Sequence, residues 1–121
     1  MLQPDGIIIT ISAGMLKEKG LFNWTRNFLT AMRCYNDLIY YMRVGAKPTK
    51  DASLSYVYLC IGNKIRYRAF YAGSLPGSTL TFGDKTISAR AWVLLSGPVE
   101  KPTVEIPMKG FRGYRYTEKL F

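Results

Sequence analysis

Leu54-Ser55-Tyr56-Val57-Tyr58-Leu59-Cys60-Ile61-Gly62-Asn63-Lys64-Ile65-Arg66-Tyr67-Arg68-Ala69-Phe70-Tyr71 is the stretch that decides the fold. Two runs rich in β-branched and aromatic residues flank Gly62-Asn63, a pair that tolerates positive φ, and so read as a hairpin closed by two residues. Such closure sets the register and pairs Ile61 with Lys64 and Leu59 with Arg66. Alternation then predicts two faces. One carries Tyr56, Tyr58, Cys60, Ile65, Tyr67, Ala69 and Tyr71 without a charge, and is the expected core face. The other mixes Val57, Leu59, Ile61 and Phe70 with Lys64, Arg66 and Arg68, a basic rim on apolar ground.

Upstream, Gly45 to Asp51 is a polar loop broken by Pro48, and Leu38 to Val44 reads as a strand. Before it, Trp24, Phe28, Ala31, Met32 and Tyr35 recur at helical spacing, with Asn23 as a plausible N-cap. Gly6 to Ile11 reads as a buried strand. Downstream, Ser74 to Lys85 reads as a loop holding at most a short strand at Thr79 to Phe82. Ile87 to Leu95 is a strand that Gly97-Pro98 should end. In it, Ile87, Ala89, Ala91, Val93 and Leu95 share one face, Arg90 and Trp92 the other. Pro102 and Pro107 bracket an extended Thr103 to Ile106, and a last strand follows the glycines of the tail. The predicted class is α+β but mainly β, with one or two helices, in a single domain spanning residues 1–121.

Composition bounds the chemistry. Apolar residues make up 48% and aromatics 14%, as in a globular domain able to bury a core. No apolar run nears the roughly 18 residues of a membrane span, and no basic leader precedes Gly6 to Ile11. The expectation is a cytoplasmic protein of a prokaryotic or phage-infected cell, with no membrane partner, as a monomer or weak dimer. Histidine is absent, which excludes His-based triads and His-ligated zinc. The two cysteines, Cys34 and Cys60, lack CxxC spacing and read as buried free thiols. No cofactor or metal is expected. Phosphate loops, dinucleotide fingerprints and paired carboxylates are missing too.

Lys and Arg number 17 against 8 acidic residues, a net charge of +9 that favours polyanion partners. Two segments interleave cations with aromatics, the pattern that holds phosphates while stacking bases. The first is Lys109-Gly110-Phe111-Arg112-Gly113-Tyr114-Arg115-Tyr116. The second is Tyr40-Tyr41-Met42-Arg43 with Lys47 and Lys50 beyond it. The candidate nucleic-acid-binding residues are Tyr41, Arg43, Lys47, Lys50, Arg66, Arg68, Trp92, Lys109, Arg112 and Arg115. The Arg43 strand end and the Lys109–Tyr116 segment should border one cleft. No residue is assigned a catalytic role.

Ala91-Trp92-Val93, Pro98 and the run from Ile106 to Tyr116 resemble the closing strands of the PUA-like superfamily, in its ASCH and EVE forms. Tyr41-Met42-Arg43 and the tyrosine-rich hairpin add to the resemblance, which covers the chain after about Leu38 with Gly6 to Ile11 as first strand. It implies a small pseudo-barrel with a helix at its opening. It also implies binding of RNA or a modified nucleotide, with aromatic side chains about the base. Some ASCH proteins hydrolyse acetylated cytidine with a Lys, a Thr and a Glu. Gly45-Ala46-Lys47 matches the Gly-x-Lys that opens their pattern, but the later Thr and Arg do not fall at its spacing, and Glu100 and Glu105 lie in the Pro-rich return. Non-catalytic binding of RNA or a modified nucleotide is therefore the expected function. The alternatives are an ASCH-type nucleoside amidohydrolase and an interaction domain, phage-encoded in one version, that meets an acidic protein.

Overall fold

Gly62 and Asn63 both take positive φ, 60° and 62°, which is the turn geometry that matches strand twist. Around that turn the computed structural model, which describes residues 3–11, 39–111 and 113–121, builds one seven-stranded sheet. The strands are β1 (Gly6–Thr10), β2 (Ile39–Val44), β3 (Tyr56–Cys60), β4 (Lys64–Phe82), β5 (Lys85–Glu100), β6 (Ile106–Pro107) and β7 (Tyr114–Thr117). Their order is β2-β5-β4-β3-β1-β7, with β6 on β4. Only β1 and β3 pair in parallel. The hairpin strands β3 and β4 thus lie mid-sheet. A single 3-10 turn, Asp51–Ser53, is the only helix among the described residues. No helix among them is long and apolar enough to cross a membrane. The amphipathic helix expected from Asn23 to Tyr35, with Cys34, lies outside the described residues, as does Arg112.

The hairpin register departs from simple alternation. Ile61 and Lys64 exchange backbone hydrogen bonds as expected. Leu59, however, pairs with Tyr67 and Cys60 with Ile65, so Arg66 is the extra residue of a β-bulge. One inserted residue moves all that follow to the opposite face. Tyr67 and Ala69 therefore join Val57, Leu59 and Ile61 in the main core, with Ile7, Ile9, Met42, Val93 and Leu95. Tyr58, Cys60 and Ile65 face the other way and form a second cluster with Ile8, closed by Met108, Phe111, Leu120 and Phe121. The face expected to be mixed is thus core, and the centre of the sheet is buried on both sides. Continuous apolar runs such as Ile7-Ile8-Ile9 suit that position.

Two loop expectations are also corrected. Ser74 to Lys85 is strand, turning only at Gly83-Asp84, because Ser78 to Phe82 pairs residue for residue with Lys85 to Ala89. Pro76 is tolerated there since β3 leaves β4 after Phe70, so the backbone of Pro76 has β5 on one side only. Gly97-Pro98 does not end β5, which continues to Glu100 and pairs it with Arg68.

The sheet is open, with β2 and β7 at the two ends of its strand order. It curls enough for Tyr40 and Val44 of β2 and Tyr114 and Tyr116 of β7 to pack on the same core cluster.

Candidate nucleic-acid interface

The curl brings the end of β2 beside the end of β1. An open cleft of about 350 Å³ lies there, lined by Ile9, Thr10, Arg43, Val44, Gly45, Ala89, Arg90 and Gly113. Arg43 and the tail segment holding Gly113 therefore do border one cleft. Arg90, the second cation, was not among the candidates. Its strand was legible, but the pairing of Val44 with Ala91, which sets Gly45 beside Arg90, joins segments distant in the chain. Gly77 fixes the backbone at that point: a Cβ on it would lie 2.8 Å from the Arg90 carbonyl oxygen.

The five described arginines divide sharply. Arg66 donates to the Ile61 carbonyl at 2.9 Å and pairs with Glu105 at 3.1 Å. Arg68 pairs with Glu100 at 2.8 Å and lies between the rings of Tyr56 and Phe121, at 4.5 and 4.7 Å from their centroids. Arg115 stacks on Phe111 at 4.2 Å. Arg43 and Arg90 are exposed, and the side chain of neither forms a hydrogen bond, ion pair or ring contact with another described residue. The described residues of the cleft lining include no carboxylate. Its potential is therefore uncompensated locally, on a chain already at +9.

The remaining candidates sit around this centre or away from it. Trp92 is only 2% exposed and offers no open face for stacking. Its indole N–H donates to the Ser78 carbonyl at 3.3 Å and its ring meets Tyr41 edge-on at 6.2 Å, so it fastens the β4–β5 ribbon. Tyr41 is half-buried. Lys47 and Lys50 are exposed on the loop after β2, and Lys50 stands over the Tyr116 ring at 5.3 Å. Lys109 is exposed between two residues clamped by the turn: Met108 N–H donates to the Asn63 carbonyl, and Gly110 N–H to the Asn63 side chain. Phe111 N–H donates to Thr10 Oγ1 at 3.3 Å, which ties the tail to the cleft wall. Arg66 and Arg68, neutralised by glutamates, do not join the cleft.

Tyr116 links the two ends of the sheet. Its hydroxyl accepts the Thr49 N–H at 2.9 Å and lies 3.3 Å from Thr49 Oγ1. Burial pushes its pKa up, but hydrogen bonds from Thr49 and the Lys50 backbone outweigh that and leave it below the ordinary tyrosine value. Tyr116→Phe is expected to cost about 1 kcal/mol, an ordinary net hydrogen bond. Hydrogen exchange should show the Thr49 amide losing protection; unchanged protection would mean that something else holds the loop. Cys60, by contrast, is buried, and its thiol donates to the Met108 carbonyl at 3.4 Å. Burial raises its pKa, against a hydrogen bond with Thr10, so it is no activated nucleophile.

Compared with family models, with curated proteins and with solved structures, the chain matches none of them.

Proposed function

We propose that the protein binds single-stranded RNA or a modified nucleotide at the cleft between Arg43 and Arg90, without transforming it. The observation that carries this reading is a pair of arginines that have no side-chain partner among the described residues, on a described lining without carboxylates, while the other described arginines are paired or stacked. Arginine forks bind phosphate through two directed, charge-assisted hydrogen bonds. About 350 Å³ falls in the range of small-ligand clefts and suits one nucleotide unit rather than a duplex. Tyr41, two residues before Arg43, and Phe111, two residues before Gly113, are partly exposed rings beside cleft-lining residues, and are the stacking surfaces of this reading. The described lining residues include no Asp, Glu or Cys to act as general base or thiolate, which favours binding over the amidohydrolase alternative. The PUA-like assignment belongs to the same proposal.

Fluorescence anisotropy with a labelled single-stranded RNA tests it. Binding is expected at about 50 mM salt and should weaken as salt rises, by about 0.7 in log–log slope per neutralised phosphate. Arg43→Ala with Arg90→Ala should weaken binding about tenfold and flatten the slope by about 1.4. Both side chains are exposed, so the melting temperature should hold. No binding at low salt rejects the nucleic-acid reading. Unchanged affinity and slope in the double variant move the site elsewhere.

A further inference from the structure

Gly45 and Gly113 stand in the same cleft wall as the two free arginines. A Cβ built on either glycine would meet nothing within 4 Å. The space beside them is therefore open, and the backbone there can be approached as closely as any backbone can. Gly113 needs its glycine for a φ of 74°, whereas Gly45 has no such need. The described residues around this opening bring two cations and no anion.

We propose that the group seated here is a terminal phosphate monoester, carried by a mononucleotide or by the end of a single-stranded chain; the inference rests on the nucleotide-binding reading above. An internal phosphodiester has one negative charge and two free oxygens. A monoester has a charge of about −1.5 to −2 at neutral pH and three strong acceptor oxygens. Two guanidinium forks match the dianion in charge, and three oxygens let each fork bind a pair of them with one oxygen shared. A diester between the same forks would leave about one positive charge unmatched. The ligand size that fits about 350 Å³ is likewise a phosphate with its sugar, near the lower limit for small-ligand sites.

The test compares one oligonucleotide in three forms: with a 5′-phosphate, with a 3′-phosphate and with neither. Binding to the parent protein is measured beside Gly45→Leu and Arg90→Ala. One phosphorylated form should bind the parent about tenfold tighter than the plain one, the gain of a charge-assisted hydrogen bond. That preference should vanish in both variants. Gly45→Leu is decisive because it keeps the net charge at +9 and enters open space at an ordinary φ, so the fold should stay intact. Should it melt early, Arg90→Ala carries the comparison alone.

Competition by adenosine monophosphate identifies the source. Full competition assigns free mononucleotides, and weak competition assigns chain ends; either supports the monoester. The preference should also shrink between about pH 7.5 and about pH 5, as the ligand's second ionisation near pH 6 is lost. Arg43 on β2 and Arg90 on β5 are the charged groups among the described residues lining the cleft, and the chain has no histidine. Equal affinity for all three oligonucleotides overturns the monoester inference and leaves nucleic-acid binding standing. A preference that survives both variants overturns the placement in this cleft. Failure to bind any of them brings down both readings together.

Discussion

Leu59→Ala and Ile65→Ala are each expected to destabilise the fold by about 2–5 kcal/mol, the range for truncating a fully buried aliphatic side chain. Both residues are 0% exposed, yet they face opposite sides of the sheet. Leu59 packs in the main core, among Val57, Tyr67 and Val93. Ile65 packs with Ile8, Tyr58 and Cys60 beneath the returning tail. Each truncation would leave a cavity that close-packed neighbours on a hydrogen-bonded sheet refill poorly. Urea unfolding measures both, the midpoint falling without a change of slope. If either variant stays within about 0.5 kcal/mol of the parent, as surface substitutions do, that face of β3–β4 is not core.

This pair of variants also marks where the sequence stops being readable. Gly62-Asn63 announces the turn, because two consecutive residues at positive φ are rare outside such loops. Ile61 opposite Lys64 follows from closure alone. The bulge at Arg66 does not follow, since Leu59 opposite Arg66 looks no worse locally than Leu59 opposite Tyr67. What selects the bulge is tertiary. It turns Tyr67 and Ala69 into the main core while Ile65 remains in the second cluster. The ribbon from Ser74 to Ala89 was hidden for a related reason. Pro76 and Gly77 are loop-forming residues in isolation, but here β5 pairs alongside them. The cleft was half legible. Arg43 and the glycine-bearing tail were visible as basic and aromatic segments, and the structure brings Arg43 and Gly113 together. Arg90 completes the pair only through the β2–β5 register, a contact between residues far apart in sequence.

Glu100→Ala is expected to cost about 3 kcal/mol, whereas Arg68→Met should change stability by about 1 kcal/mol or less. The asymmetry comes from the burial of the two partners. The Glu100 side chain is 42% exposed and can be solvated alone; that of Arg68 is 11% exposed and cannot. Nε and Nη1 of Arg68 have no hydrogen-bond partner among the described residues, so beside the two ring contacts its one ion pair, from Nη2, is the hydrogen-bonded compensation for a buried charge. Burial acts to lower the Arg68 pKa, but the hydrogen bond and charge of Glu100 outweigh it and leave the pKa above the ordinary value. Removing Glu100 strands the cation, and a buried charge without a partner is the costly half of a broken pair. Removing Arg68 instead deletes the charge together with both unsatisfied donors, worth about 1–3 kcal/mol each when left buried. Methionine keeps a long apolar stem between the Tyr56 and Phe121 rings, with sulfur–aromatic contacts in place of cation–π ones. The double variant should therefore be more stable than Glu100→Ala alone, by about 2 kcal/mol, because the second change removes the charge that the first one orphaned. Urea denaturation of the four proteins closes the cycle. If Arg68→Met proves as damaging as Glu100→Ala, and the double variant no better than either, the Arg68 cation itself stabilises the sheet and the reasoning from its two empty donors fails.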